Sequence, residues 1–165
     1  MNNLPKRRPQ RLKDYNYSQN GAYFITICTQ NRLPLFGDIA GGAVALNKAG
    51  KMVEERLLNI ATDTVFVEKY CIMPDHIHTI LLISGDGTTQ GSFPTTISET
   101  VQRFKTITTK LYIDGVKNGD YPPFDKKIWQ KSFHDHIIRN EQDYQDVWNY
   151  IDENPLKWEE SKAAK

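Results

Sequence analysis

Cysteine is scarce in this sequence. Cys28 and Cys71 are the only two among 165 residues, and each lies inside an apolar run typical of a strand. We expect two buried thiols rather than a disulfide or metal ligands. No run of residues has the apolar length of a membrane span, and the basic N-terminus lacks the hydrophobic segment of a signal peptide. We therefore expect a cytoplasmic protein with no membrane association.

Net charge is also small, at +1, but it is unevenly distributed. Residues 1–13 contain no acid, whereas residues 141–165 hold seven acids against three bases. The basic residues of this N-terminal arm are Lys6, Arg7, Arg8, Arg11 and Lys13. Such an arm favours a polyanionic partner, with phosphate the obvious group to bind. The alternative is a solvated tail without a partner.

The length fits one domain with a sizeable core. Residues 1–21 form the arm and lead-in, 22–138 the folded core, and 139–165 a C-terminal helix with its tail. Alternating and β-branched residues predict strands at 22–29, 64–73 and 76–83 and a fourth extended stretch at 128–138. The order of elements predicts a ferredoxin-like α+β sandwich: a four-stranded antiparallel sheet with helices on one face, followed by a further helix.

Helical spacing of apolar residues predicts three helices. The first covers 46–60. The second opens at a capping box formed by Thr96 and Glu99, and its buried stripe ends at Leu111. The third is capped by Asn140 and ends at Pro155, because the residue before a proline is disfavoured in a helix. Loops are predicted at 34–42, 84–94 and 114–124.

The third predicted strand contains two histidines in an otherwise apolar run. Successive side chains of a strand point to opposite faces, so His76 and His78 share one face while Ile77 packs on the other. Two imidazoles directed to one point can bind a metal ion. Two ligands alone do not make a metal site, and a pair of surface histidines is the alternative.

A second pair with the same spacing, His134 and His136, is a rival for the metal. It has no third ligand or nucleophile near it in the sequence, and we expect His136 to pack or bond close to the site from an adjacent strand.

The last helix offers two polar side chains beside its buried stripe. Tyr150 lies on the flank of that stripe, and Asn154 follows one turn later on nearly the same side. A divalent cation bound by His76, His78 and the Asn154 amide oxygen would leave positions open for the oxygens of a phosphodiester. Tyr150 could then act as the nucleophile.

These segments resemble a known family. Asp75-His76-Ile77-His78 is similar to the histidine-hydrophobic-histidine (HUH) motif of single-strand DNA endonucleases. The match to the REP-associated tyrosine transposases, relatives of single-tyrosine insertion-sequence transposases, runs over nearly the whole chain. Besides that motif it rests on the arginines of the arm with Tyr23-Phe24-Ile25-Thr26, on the segment 129–140, and on Tyr150-Ile151-Asp152-Glu153-Asn154-Pro155.

The resemblance implies an enzyme that cuts single-stranded DNA through a 5′-phosphotyrosine link and rejoins strands by reversing that step. It assigns Tyr150 as the nucleophile and His76, His78 and Asn154 as ligands of Mg²⁺ or Mn²⁺. Two imidazoles would also accept Zn²⁺, Ni²⁺ or Cu²⁺.

The expected partner is single-stranded or hairpin DNA, bound by a monomer or a homodimer. Candidate DNA contacts are Arg7, Arg8, Arg11, Arg103, Lys105 and Arg139. Three alternatives stay open: a hairpin-binding protein of the same fold that does not cut, a small metal-dependent hydrolase, and a ferredoxin-like RNA-binding domain.

Overall fold

The computed structural model describes residues 21–84 and 97–165. Its elements in chain order are β1 (Gly21–Cys28), β2 (Gly37–Ala40), β3 (Ala43–Leu46), α1 (Lys48–Leu58), β4 (Val65–Ile72), β5 (His76–Ile83), α2 (Ile97–Lys117), β6 (His134–Ile138) and α3 (Glu141–Ala163). A single 3₁₀ turn, Gln30–Arg32, follows β1.

Four strands form one antiparallel sheet in the order β4-β5-β1-β6. The predicted ferredoxin-like sandwich is confirmed. The strand that follows α1 takes the edge, and β1 lies in the middle between β5 and β6. Hence β1 and β5 can be covered on both faces.

One face of the sheet carries the main core. Tyr23, Ile25 and Ile27 of β1 are at most 1% exposed and pack with the apolar stripes of α1 and α2. The other face carries α3, whose Val147 and Ile151 pack on Ile80 of β5. Because both sides of β5 are covered, nearly every side chain of that strand is buried.

Several predicted boundaries were wrong. Residues 34–42 are not a loop, because they contain β2 and the turn into β3. The first helix is shorter than predicted and starts after Asn47, whose side chain accepts the N–H of Gly50. The fourth extended stretch is a strand only from His134, and Trp129 forms an isolated bridge with Thr29.

The second helix is longer than predicted and continues to Lys117, through residues predicted as loop. Its buried stripe continues through Tyr112, which is 1% exposed, rather than ending at Leu111. Lys105, a predicted DNA contact, is buried, with 8% of its surface exposed. Thr96, the loop from residue 85 to 94 and the N-terminal arm lie outside the described residues.

The largest difference concerns α3, which does not end at Pro155 but runs on for eight residues to Ala163. A proline inside a helix removes one backbone hydrogen bond and costs about 3 kcal/mol. Contacts beyond the proline offset that loss. The Glu159 carboxylate accepts the N–H groups of Gly41 and Gly42 in the β2–β3 turn, and the Trp158 ring packs near the His76 ring.

Candidate active site

The two histidines of β5 meet on the face covered by α3. Their Nε2 atoms are 3.0 Å apart, and both residues are at most 5% exposed. Two nitrogen ligands at right angles, each about 2.1 Å from a cation, are separated by about 3.0 Å. The spacing of the pair therefore fits a shared metal ion.

Partners on the far side of each ring orient the pair. Asp75 Oδ1 accepts a hydrogen bond from His76 Nδ1–H at 2.5 Å, and His78 Nδ1 lies 2.9 Å from Thr26 Oγ1 on the neighbouring strand. Because the carboxylate can only accept, the His76 proton is on Nδ1. The Nε2 lone pair faces His78 Nε2, where a cation shared by the two rings could bind.

Burial keeps the second histidine neutral. Burial, together with the adjacent His76 and the positive charge of Arg32, lowers the pKa of His78 to about 3. Neutral imidazole is the form that binds metals.

The tyrosine of α3 lies against this pair. The Tyr150 ring centroid is 5.3 Å from that of His78 and 5.9 Å from that of Phe24, with both rings approached edge-on. Tyr150 is 43% exposed, so its hydroxyl group can be reached by a large substrate. Helix α3 is held in this place by an ion pair between Lys69 of β4 and Asp152.

Asn154 follows one turn later and completes the group. It lines the same cavity as His76, His78 and Tyr150 and is 9% exposed. Within the described part of the chain, no residue hydrogen-bonds to its side-chain amide. A buried amide without such a partner, beside two imidazoles, is available as a third donor for a metal.

The shared cavity has a volume of about 450 Å³. It is lined by Phe24, Thr26, Cys28, Arg32, His76, His78, His134, Tyr150, Asn154, Lys157, Trp158 and Ser161. No carboxylate is among these lining residues. Nor does any group of three or more His, Cys, Asp or Glu side chains within 21–84 and 97–165 form a metal cluster. The available donor set is thus two imidazoles and one amide, in a cavity whose charged lining side chains are basic.

The cysteine in this cavity stays a thiol. Burial raises the pKa of Cys28, and the hydrogen bond from Arg32 offsets this only in part. A protonated thiol is a poor nucleophile. Cys28 therefore does not compete with Tyr150 at neutral pH.

The second histidine pair is divided between two surroundings. His134 lines the cavity from β6, where Thr26 separates it from His78. His136 lies nearer the start of α3 and binds both carboxylate oxygens of Asp143, at 2.8 and 2.9 Å. It is thus His134, not His136 as predicted, that reaches the site from the adjacent strand.

The predicted DNA contacts lie in different places. Arg139 is exposed at the end of β6. Arg103 belongs to α2, on the opposite side of the sheet from the histidines, and lines a separate cavity of about 690 Å³. The Lys105 ammonium donates to the carbonyl of Gln130 at 2.8 Å and to that of Ser132 at 3.3 Å, so it anchors the loop before β6. Arg7, Arg8 and Arg11 lie outside the described residues.

Three residues of the site were missed from the sequence. Asp75 was given no role of its own, although its position directly before His76 was a usable signal. Trp158 was missed because the helix was predicted to end at Pro155. Arg32 gave no signal at all, because only the pairing of β1 with β5 brings the turn after β1 beside Asp75.

Comparison with known proteins shows the family of this chain. The family described as "Transposase IS200 like" matches residues 20–154. An uncharacterized protein of Haemophilus influenzae is 35% identical over 94% of this chain and 92% of its own length. A REP-associated tyrosine transposase of Escherichia coli is 27% identical over 86% of this chain and 70% of its own length.

A solved structure shares the fold. The structure of a REP-associated tyrosine transposase bound to a REP hairpin superposes with a TM-score of 0.54 at 21% identity, covering 89% of this chain and 73% of that one. No helix within the described residues is long and apolar enough to cross a membrane. The family match covers most of the chain, including both histidines, Tyr150 and Asn154, and the chain therefore belongs to the IS200-like family of DNA-processing transposases.

Proposed function

We propose that this protein is a metal-dependent endonuclease and strand transferase for single-stranded DNA, with Tyr150 as its nucleophile. The observation that supports this most is the 5.3 Å separation of the Tyr150 and His78 rings beside the paired Nε2 atoms of His76 and His78. The substrate would be a hairpin with single-stranded flanks, by analogy with the related transposase whose structure holds a REP hairpin.

His76, His78 and Asn154 would hold Mg²⁺ or Mn²⁺. When bound, the cation supplies charge stabilisation to the phosphate oxygens during strand transfer. The chain's own contribution is orientation: Asp75 and Thr26 fix the two rings, and α3 supplies the amide and the phenol from consecutive turns.

The reaction is a transfer between two oxygens. The Tyr150 Oη atom attacks the phosphorus, the phenol proton leaves to solvent, and a Tyr–O–P bond forms while the P–O3′ bond breaks. The departing oxygen takes up a proton and becomes a free 3′-hydroxyl. Attack of a 3′-hydroxyl on the phosphotyrosine reverses the step and reseals a strand.

The test uses end-labelled hairpin DNA with single-stranded flanks, Mn²⁺, and denaturing gels that separate free DNA from protein-linked DNA. We expect wild type to give a cut strand and a protein–DNA adduct, and Tyr150→Phe to give neither. Tyr144→Phe, on the same helix but bonded to Glu68 away from the cavity, is the matched control and should react as wild type does.

Two results would contradict the proposal. Adduct formation by Tyr150→Phe at the wild-type rate would remove Tyr150 as nucleophile. Tight hairpin binding by wild type with no cut strand at any Mn²⁺ or Mg²⁺ concentration would instead identify a binding protein that does not cleave.

DNA contacts outside the cavity belong to the same proposal. The arginines of the arm, Arg7, Arg8 and Arg11, together with Arg139, would bind phosphates of the hairpin. Replacing the arm's basic residues should weaken hairpin binding and reduce its dependence on salt concentration, because fewer counterions are then released. Arg103 lies on the other face of the sheet and would contact only DNA that wraps around the domain.

A further inference from the structure

Arg32 occupies a backbone conformation that few side chains adopt. In the turn after β1, Asn31 has φ of 56° and Arg32 has φ of 55°, both in the left-handed region. Two adjacent residues other than glycine in this region cost about 1–2 kcal/mol each. Such strain persists only where the surroundings enforce it, and it is frequent at functional sites.

The surroundings that enforce it lie beneath the turn. The Thr29 hydroxyl donates to the carbonyls of Leu33 and Asp75, and the Thr29 N–H donates to Asp75 as well. These hydrogen bonds hold the turn against Asp75, the residue that precedes His76. The consequence is that the Arg32 side chain enters the wall of the cavity.

The guanidinium group makes three contacts there. Its Nε lies 3.0 Å from Asp75 Oδ2, one terminal nitrogen donates to Cys28 Sγ at 2.8 Å, and the other lies 3.3 Å from His76 Nδ1. For a metal site alone this placement is unfavourable, because a fixed positive charge beside a ligand repels the cation. Among residues 21–84 and 97–165, Asp75 is the one carboxylate in contact with His76 or Arg32, and it is shared by both.

The same placement suits an anion. A guanidinium has five N–H donors. Those directed at Asp75 and Cys28 leave terminal N–H groups for another acceptor, because His76 Nδ1 carries its own proton and cannot accept. The Arg32 side chain is 46% exposed whereas that of Asp75 is 6% exposed, so the salt bridge ties a buried acid to a cation at the cavity surface. Lys157, the other fully charged side chain of the cavity, already pairs with Glu153 at 2.7 Å.

We propose that Arg32 is a further catalytic residue, whose remaining terminal N–H groups bind the non-bridging oxygens of the phosphodiester that Tyr150 attacks. A planar guanidinium matches two phosphate oxygens better than an ammonium does. Because Asp75 holds the guanidinium in place, it can stabilise the negative charge that develops on those oxygens without first reorganising. The inference rests on the proposed function for the identity of the bond that breaks, but its binding test does not require cleavage.

The experiment measures binding in the Tyr150→Phe protein with EDTA present, so that neither chemistry nor metal contributes. Single-stranded DNA from the hairpin flank is compared with versions in which one linkage at a time is a methylphosphonate, which lacks the anionic oxygen. On ordinary DNA, Arg32→Gln should weaken binding about 10-fold, the value of a charged hydrogen bond. At one linkage the methylphosphonate should already weaken wild-type binding, and Arg32→Gln should add almost nothing further.

A purely structural role for Arg32 gives a different pattern. If Arg32 only positioned Asp75 and His76, its loss would weaken binding equally for every linkage and would also weaken Mn²⁺ binding. We expect instead that Arg32→Gln binds Mn²⁺ as tightly as wild type or more tightly, because a repelling charge is removed. Equal loss at all linkages, or no loss on ordinary DNA, would overturn the proposal.

Two further variants complete the test. Arg56→Gln removes an arginine that pairs with Glu55 on α1, away from the cavity, and should bind like the parent protein. Arg32→Lys keeps the positive charge but lacks the planar guanidinium, so we expect a smaller loss of DNA affinity that is confined to the same linkage. If Arg32→Gln unfolds at a lower temperature than wild type, the binding data for Arg32→Lys test the proposal in its place. If wild type forms no adduct although the linkage-specific effect is found, the proposed cleavage fails and the Arg32 contact stands.

Discussion

Glu159 near the end of α3 accepts the backbone N–H of Gly42 at 2.6 Å, and its second oxygen accepts that of Gly41 at 3.2 Å. Gly41 and Gly42 both have positive φ, of 60° and 72°, which turns their N–H groups outward from the β2–β3 hairpin. The far end of the tyrosine helix is thereby fastened to a hairpin that is not part of the main sheet.

Glu159→Ala should loosen the part of α3 that follows Pro155. Two hydrogen bonds to a charged group are lost, and the expected decrease in the free energy of unfolding is about 1–2 kcal/mol. Amide hydrogen exchange of residues 156–163 should accelerate, and adduct formation through Tyr150 should slow. The neighbouring Glu160→Ala, which removes an exposed carboxylate from the same helix, is the control. Exchange rates that match wild type would show that the hairpin does not hold the helix.

Asp75→Asn tests the partner that orients His76. An asparagine in its place accepts more weakly from Nδ1–H and carries no charge, and loss of such a carboxylate lowers metal affinity about 10- to 100-fold. Calorimetric titration with Mn²⁺ measures the effect directly. Asp125→Asn changes an exposed acid in the loop before β6 and should leave affinity unaltered. The sign is opposite to that expected for Arg32→Gln, so the pair of variants separates the two partners of His76.

Much of this site could be predicted from sequence because its signals are local. The alternation of β5 places His76 and His78 on one face, and helical spacing places Tyr150 and Asn154 one turn apart. The sequence pattern alone does not show that the histidine pair and the Tyr150–Asn154 pair lie close together, because this depends on how the elements are arranged in space. The order of elements predicted a ferredoxin-like sheet. That the last helix lies against the histidine strand was implied only by the expected shared cation and by the family resemblance.

The remainder depends on contacts between distant parts of the chain. The low helix propensity of proline predicted that α3 ends at Pro155. The tertiary contacts of Glu159 and Trp158 outweigh the free-energy cost of placing a proline inside the helix. The strained turn at Arg32 is likewise set by Thr29 and Asp75, which are 46 residues apart in the chain. Local pattern contains neither interaction, so neither could be predicted.

The Phe24 ring contacts both Tyr150, the proposed nucleophile, and His78, a proposed metal ligand. Its ring centroid is 5.3 Å from that of His78 and 5.9 Å from that of Tyr150. Phe24→Leu keeps an apolar residue but removes the aromatic ring that fixes the position of the Tyr150 ring. A misplacement of the nucleophile by about 1 Å can cost about 100-fold in rate.

We therefore expect Phe24→Leu to form the covalent adduct about 10- to 100-fold more slowly. Mn²⁺ affinity should stay close to wild type, because both histidines keep their Nδ1 partners. Phe66→Leu alters a 43% exposed phenylalanine on β4 and serves as the control. A loss of Mn²⁺ binding with an unchanged adduct rate per bound metal would assign Phe24 to the histidines instead of to Tyr150.

The contact between His136 and Asp143 gives a dependence of stability on pH. Burial raises the pKa of Asp143, but hydrogen bonds from His136 and from the Arg139 N–H outweigh this, and the net pKa lies below its ordinary value of 3.8. A carboxyl whose pKa is lower in the folded state stabilises the fold above its unfolded pKa. That contribution is lost as the pH falls through the folded pKa. The window of loss therefore begins near pH 4 and extends below it.

Asp143→Asn should remove this contribution. Since His136 is half exposed, the difference in the free energy of unfolding from wild type at pH 7 should be about 0.5 kcal/mol, and it should decrease with added salt. Urea unfolding of both proteins at pH 7, 4 and 3 measures it, and the two curves should converge at the lowest pH. Asp146→Asn, one turn further along α3, controls for loss of acid charge near the helix start. A difference that persists undiminished at pH 3 would mean that the stabilising effect of Asp143 does not depend on its negative charge.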